Sequence, residues 1–189
     1  MHSFKFRGFI LGSKEWYEKD KLISVFTKER GKIKLLAKGV RDPKSKRAGN
    51  LETGNFIKGI AFTNNKNNFP ILGEIEIIYH PLEKRKSLGY TTILLYLSEL
   101  IDSFVVESQS EEPLFNFYQE TLFRLAKNND IESIVKFSVE LPRLLGFGAS
   151  EKAARLLADG EMKQAQKEAE KYLENITRKK ITSLELIRN

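Results

Sequence analysis

Residues Lys28 to Glu52 read KERGKIKLLAKGVRDPKSKRAGNLE: a hairpin turn, an alternating strand and a basic loop in succession. Between Lys28 and Arg47 lie nine basic side chains and two acidic ones, Glu29 and Asp42, a local excess equal to the formal charge of +7 on the whole chain. In an extended strand, successive side chains point to opposite faces. Ile33, Leu35 and Ala37 therefore share one face, predicted to be core, while Lys32, Lys34, Leu36 and Lys38 share the other. The lysines on that face recur about every 6.5 to 7 Å, close to the phosphate repeat of an extended single strand. The competing reading is an edge strand kept soluble by outward lysines.

Working outward, the apolar residues up to about Tyr79 recur with a period near two, broken by glycine and asparagine clusters, which predicts short half-buried strands. Five are expected: Ser3–Leu11, Lys21–Thr27, Lys32–Gly39, Asn55–Thr63 and Ile71–Tyr79. The second and third pair around Lys28–Gly31, where Gly31 supplies the positive φ such turns demand. The fourth and fifth pair across Asn64–Asn68. Five strands in about 80 residues predict a small closed barrel of the OB type.

Past His80-Pro81 the apolar spacing changes to three and four, so the expectation is an α+β chain with a barrel over residues 1–80 and an all-α helical domain over 81–189. Leu94, Leu97, Leu100, Ile101, Phe104 and Val105 line a first helix. Phe115, Tyr118, Leu122 and Leu125 line a second, which starts after Pro113. Ile134, Phe137, Leu141, Leu144 and Leu145 line a third, in which Pro142 predicts a kink or an early end. Ser150 stands as an N-cap, a helical hairpin is expected to turn at Asp159-Gly160, and a short last helix to begin near Thr182.

Charge divides in the same way. Residues 1–80 carry 16 Lys/Arg against 8 Asp/Glu, and residues 81–189 carry 16 against 17. A basic half beside a nearly neutral one points to a polyanion partner for the first and packing or protein contacts for the second. Cysteine is absent and there are only two histidines, His2 and His80, so no disulfide, thiolate metal site or histidine cluster is available and no cofactor is expected. No secretion signal or apolar run of membrane-spanning length is found, which predicts a cytosolic protein without membrane contact.

Enzyme motifs are missing: there is no nucleophilic cysteine, phosphate-cradling loop or GxSxG elbow. Glu74 with Glu76, and Glu111 with Glu112, are the close carboxylate pairs, and the first reads best as exposed strand residues. Phe9, Trp16 and Tyr17 are candidates for stacking on bases, although core or cap packing is the expectation for each. The polyanion reading assigns Lys32, Lys34, Lys38, Arg41, Lys44, Lys46 and Arg47 to a sequence-blind phosphate track, with the Arg41–Arg47 loop ordering on the nucleic acid.

Three segments resemble the RecO family of bacterial recombination mediators. They are FTKERGKIKLLAKGVRDPKSKRAGNLE at Phe26–Glu52, YLSELIDSFVVESQSEEPLFNFY at Tyr96–Tyr118 and FSVELPRLLGFG at Phe137–Gly148. Many family members follow the third segment with a four-cysteine zinc module. This chain has Ala149–Lys152 and no cysteine there, so no metal site carries over.

The resemblance implies a non-catalytic mediator of DNA repair, associated with the nucleoid. Its barrel would bind single- and double-stranded DNA and anneal complementary strands. Its helical domain would contact single-stranded-DNA-binding protein and RecR, and the whole would help load RecA onto coated strands. For the acidic, apolar tail of the single-strand-binding protein, Arg124, Lys127, Lys136 and Arg143 are the available cations, each expected first as part of a solvated helix face. An OB-type RNA-binding module and a non-catalytic adaptor are the alternatives, since charge alone does not distinguish RNA from DNA.

Overall fold

Alternation builds the first unit of the structure, a computed structural model that describes residues 2–42, 44–45, 48–63, 68–128 and 130–184. The strands are β1 (His2–Trp16), β2 (Asp20–Thr27), β3 (Gly31–Ala37), β4 (Phe56–Thr63) and β5 (Ile71–Tyr79). They close in the order β1-β2-β3-β5-β4, antiparallel throughout except where β3 meets β5 in parallel at Leu36 and Ile71. Ile33, Leu35 and Ala37 point inward as their alternation predicts, and join Phe6, Ile10, Val25 and Ile57 in the barrel core. Each such burial stabilises the fold by roughly 1.5–3 kcal/mol per large aliphatic side chain.

β1 is longer than predicted. Its first half pairs with β4 and its second with β2, and the register shifts between Ile10 and Gly12. The expected strand end at Leu11 is instead a bulge, which bends the strand and lets it continue to Trp16. At Gly8 the sheets press together: a Cβ there would lie 2.4 Å from the Phe26 carbonyl oxygen. The β2–β3 turn forms around Gly31 at φ +62°. Thr27 Oγ1 donates to the Gly31 carbonyl at 2.8 Å and accepts from the Arg30 N–H at 3.1 Å.

The second unit is helical: α1 (Leu88–Phe104), α2 (Glu112–Asn128), α3 (Ile131–Leu144), α4 (Glu151–Ala158) and α5 (Met162–Thr177). Asp130 and Ser150 cap α3 and α4, accepting from the N–H groups of Ser133 and Ala153. α3 runs through Pro142 and ends two residues later, and Gly146 takes φ +79°. Two tyrosines fix the interior through paired hydroxyls: Tyr96 with Ser138 at 2.9 Å and Tyr118 with Ser98 at 3.0 Å. Burial pushes both phenols well above their ordinary range. α4 and α5 turn at Gly160 and pack small side chains, Ala153, Ala165 and Ala169, on Val135 and Val139 of α3.

The compact units differ in two places from residues 1–80 and 81–189. The first unit runs to Glu83 and also takes Val105–Glu112; the second holds Lys84–Phe104 and the chain from Pro113 onward. Val105, predicted as the last residue of the first helical stripe, lies beyond the end of α1. Of the predicted last helix, Thr182–Leu184 form a 3₁₀ turn, and the rest lies outside the described residues. Glu99 holds that turn, accepting from Thr182 N–H at 2.8 Å, Thr182 Oγ1 at 2.7 Å and Ser183 N–H at 2.8 Å.

Candidate nucleic-acid interface

The five described members of the predicted phosphate track, Lys32, Lys34, Lys38, Arg41 and Lys44, are not equally open. The segment Val105–Glu112 meets the edge of β3: Glu107 bridges Lys32 in parallel, Ser108 donates its N–H to the Lys32 carbonyl at 2.8 Å, and Glu107 is ion-paired to Lys34. Lys32 is only 7% exposed. One turn away, Lys28 pairs with Glu112 at 3.0 Å, and Ser110 Oγ donates to the Lys28 carbonyl at 3.2 Å. The expectation of an open cationic face on β3 is thus corrected at Lys32 and Lys34. The available signal was the acid-rich stretch Glu107, Glu111, Glu112, of which Glu111 and Glu112 were read only as a close carboxylate pair.

Lys38 and Lys44 are exposed, as the track requires. Arg41 is engaged within the fold. Its backbone N–H donates to the Lys19 carbonyl at 2.9 Å, its guanidinium to the Tyr17 carbonyl at 3.2 Å, and it pairs with Glu15 at 2.8 Å. Asp20 Oδ1 accepts from the Gly39 N–H at 2.8 Å, and Asp42 turns the chain by accepting from the Lys44 N–H at 3.0 Å. The start of the basic loop is therefore braced against the β1–β2 turn through Arg41. Lys46 and Arg47 lie outside the described residues.

Sequence reasoning missed two exposed lysines: Lys19, which the turn brings beside this loop, and Lys14, which lies over the Trp16 ring. Among the stacking candidates, Phe9 is core, stacked on Phe56 at 4.5 Å. Tyr17 is 80% exposed, against the expectation of core or cap. Glu74 and Glu76 are exposed on β5, and Glu76 pairs with Lys58 at 2.9 Å. Among the described residues no group of three or more acids or histidines could hold a metal ion, and no helix is long and apolar enough to cross a membrane.

Two family models match in succession: Recombination protein O N terminal over residues 1–81 and Recombination protein O C terminal over residues 85–153. The chain belongs to the RecO family. Its relatives include the DNA repair protein RecO of Clostridium acetobutylicum, 37% identical over 153 residues that cover 78% of this chain and 60% of that one. The RecO of Prosthecochloris aestuarii is 31% identical over 149 residues, covering 76% and 55%, and that of Bacillus subtilis 26% identical over 140 residues, covering 74% and 54%. The matches span little more than half the length of these relatives.

The RecO C-terminal match ends at Ala153, near where the sequence comparison expected a cysteine module in many members; here the helical hairpin α4–α5 follows. That hairpin makes a groove of about 660 Å³ against α1 and α3, floored by Ile93, Ile134, Val135 and Met162. Lys163 and Lys167, one turn apart on α5, stand at its rim with Glu170, whose carboxylate accepts from Gln166 at 2.7 Å. Neither lysine was a sequence candidate. Of the four that were, Arg124 pairs with Glu120 at 2.8 Å and Arg143 Nε donates to Glu140 at 2.7 Å, while Lys127 and Lys136 are exposed.

Proposed function

We propose that this RecO-family chain acts in DNA repair as a non-catalytic recombination mediator, bound through the exposed cations of its barrel to single- and double-stranded DNA. The observation that carries the reading is family membership joined to a barrel that exposes Lys19, Lys38 and Lys44 where the β1–β2 turn meets the basic loop. Surface lysines without a base-reading element neutralise phosphates of any sequence. Annealing needs that property, since two strands must be held without their pairing edges being occupied.

The groove between α3 and α5 supports the second half of the reading. An apolar floor with two lysines at the rim complements a peptide that is apolar and acidic, as the tail of single-stranded-DNA-binding protein is expected to be. Delivery of coated strands to RecA, with RecR as a further partner, follows from such a double contact, and nucleoid association follows from DNA binding.

The decisive experiment is strand annealing on DNA precoated with single-stranded-DNA-binding protein, with and without the tail of that protein. Annealing that depends on the tail supports the whole reading. Absence of oligonucleotide binding at low salt overturns it, preference for RNA over a matched DNA strand favours the RNA-binding alternative, and strand cleavage with magnesium or manganese overturns the non-catalytic assignment.

A further inference from the structure

The β1–β2 turn carries a residue that the fold gives no reason to keep. Trp16 closes the ladder opposite Asp20, so Tyr17, Glu18 and Lys19 make the connection. Tyr17 sits at φ +54°, a left-handed conformation that glycine and asparagine adopt readily and an aromatic residue rarely does. Its ring is 80% exposed. A residue that is both conformationally strained and unburied contributes little to folding, and such outliers cluster at ligand contacts.

The surroundings hold that ring in place. Arg41 ties the turn down through the Tyr17 and Lys19 carbonyls and through Glu15. Trp16 meets Tyr17 edge-on at 5.7 Å and 82°, and meets Phe69 at 5.5 Å and 88°. Lys14 Nζ lies 5.6 Å from the centre of the Trp16 ring. Three rings thus link the β1–β2 turn to the β4–β5 loop, the two loops that flank the oligonucleotide in OB barrels. Edge-on packing supports Tyr17 from one side and leaves its face open. Of the acids near the turn, Glu15 and Asp42 are paired with Arg41 and Lys19, and Glu18 is exposed next to Tyr17.

We propose that Tyr17, buttressed by Trp16 and Phe69, is a stacking platform for an unpaired nucleobase, with Lys14 and Lys19 on the adjoining phosphates. This rests on the nucleic-acid reading above and deepens it. Lysines alone respond to phosphate charge, which is denser on a duplex, whereas a ring face accepts only a base free of its own stack. The platform therefore biases the barrel toward single-stranded DNA.

The test uses the full chain with a short oligothymidylate and an abasic strand of equal phosphate number. Trp16 is the only tryptophan, so its fluorescence reports the site directly. The thymidylate is expected to quench it and to bind about tenfold more tightly than the abasic strand. Tyr17→Ala should remove that tenfold difference and leave abasic binding unchanged. Tyr17→Gly should do the same while relieving the left-handed strain, which separates loss of the ring from loss of the fold. Equal, salt-dependent binding of both strands by the unaltered chain overturns the platform and leaves the phosphate reading standing. Unchanged thymidylate affinity in Tyr17→Gly also overturns it, and binding of neither strand overturns both.

Discussion

Lys34 on β3 is ion-paired to Glu107, a residue of the segment between α1 and α2, so an acidic strap at the edge of β3 engages a lysine that was expected in a phosphate track. Glu112 treats Lys28 in the same way at 3.0 Å. Carboxylates at these positions compete with phosphates for the same cations. Glu107→Gln with Glu112→Gln is expected to raise DNA affinity several-fold at low salt. It should also steepen the slope of log K against log salt by about 0.7 for each lysine that gains a single-strand phosphate. Fluorescence anisotropy across a salt series measures both, and an unchanged slope means that the strap does not mask a binding surface.

The exposed pair Lys38 and Lys44 should carry binding that Lys32 does not. For a footprint of about 4 phosphates the unaltered chain should show a slope near −3 on a single strand. Lys38→Glu with Lys44→Glu is expected to weaken binding at least tenfold and to flatten that slope toward −1.5. Lys32→Gln, buried beside the strap, should change the urea midpoint more than the affinity.

Gly31 faces the strap at close quarters: a Cβ there would lie 1.7 Å from the Gln109 carbonyl oxygen, and its φ is +62°. Gly31→Ala is expected to destabilise the barrel by about 2–4 kcal/mol, combining backbone strain with displacement of the strap. Urea unfolding would show a lower midpoint. Gly12→Ala, with open space at its Cβ, is the control and should change the midpoint little.

Glu99 makes the C-terminal turn sensitive to acid. Burial pushes its carboxyl up, but hydrogen bonds from Ser183 and Thr182 outweigh this and hold it below the usual carboxylate range. A group depressed on folding adds stability that is fully present above its unfolded value near 4.5 and fades as pH falls through the lower folded value. Hydrogen exchange at Thr182 and Ser183 should therefore accelerate on acidification below about pH 4.5, and Glu99→Gln should remove that pH dependence.

Lys163 and Lys167 should matter to a protein partner and not to DNA. Lys163→Glu with Lys167→Glu is expected to lower affinity for a tail peptide of single-stranded-DNA-binding protein at least tenfold while leaving oligonucleotide binding by the barrel intact. Calorimetric titration with the peptide checks the first, anisotropy the second. The same loss from Lys127→Glu with Lys136→Glu would move the contact to the other helices.

What the chain determines locally was legible in its letters. Inward placement of Ile33, Leu35 and Ala37 follows from the pleat, the turn at Gly31 from its freedom to take positive φ, and the start of α4 from the Ser150 cap. Each depends on residues a few positions apart, where backbone sterics and hydrogen-bonding reach act directly. Family membership was legible for the same reason, since three local segments carry it in order.

Tertiary structure alone decided which distant segment covers which face. Alternation assigns Lys32 and Lys34 to the outside of β3, and nothing nearby in the chain says that Glu107 and Ser108 return to bridge Lys32 and pair with Lys34. Arg41 reads as a loop cation until Glu15 and the Tyr17 carbonyl are seen to take it. Phe69 meets Trp16 only because the barrel closes, and Lys163 rims a groove only because α5 packs on α3. Ion pairs and ring contacts act through space, so their partners become definite only when packing sets the distances.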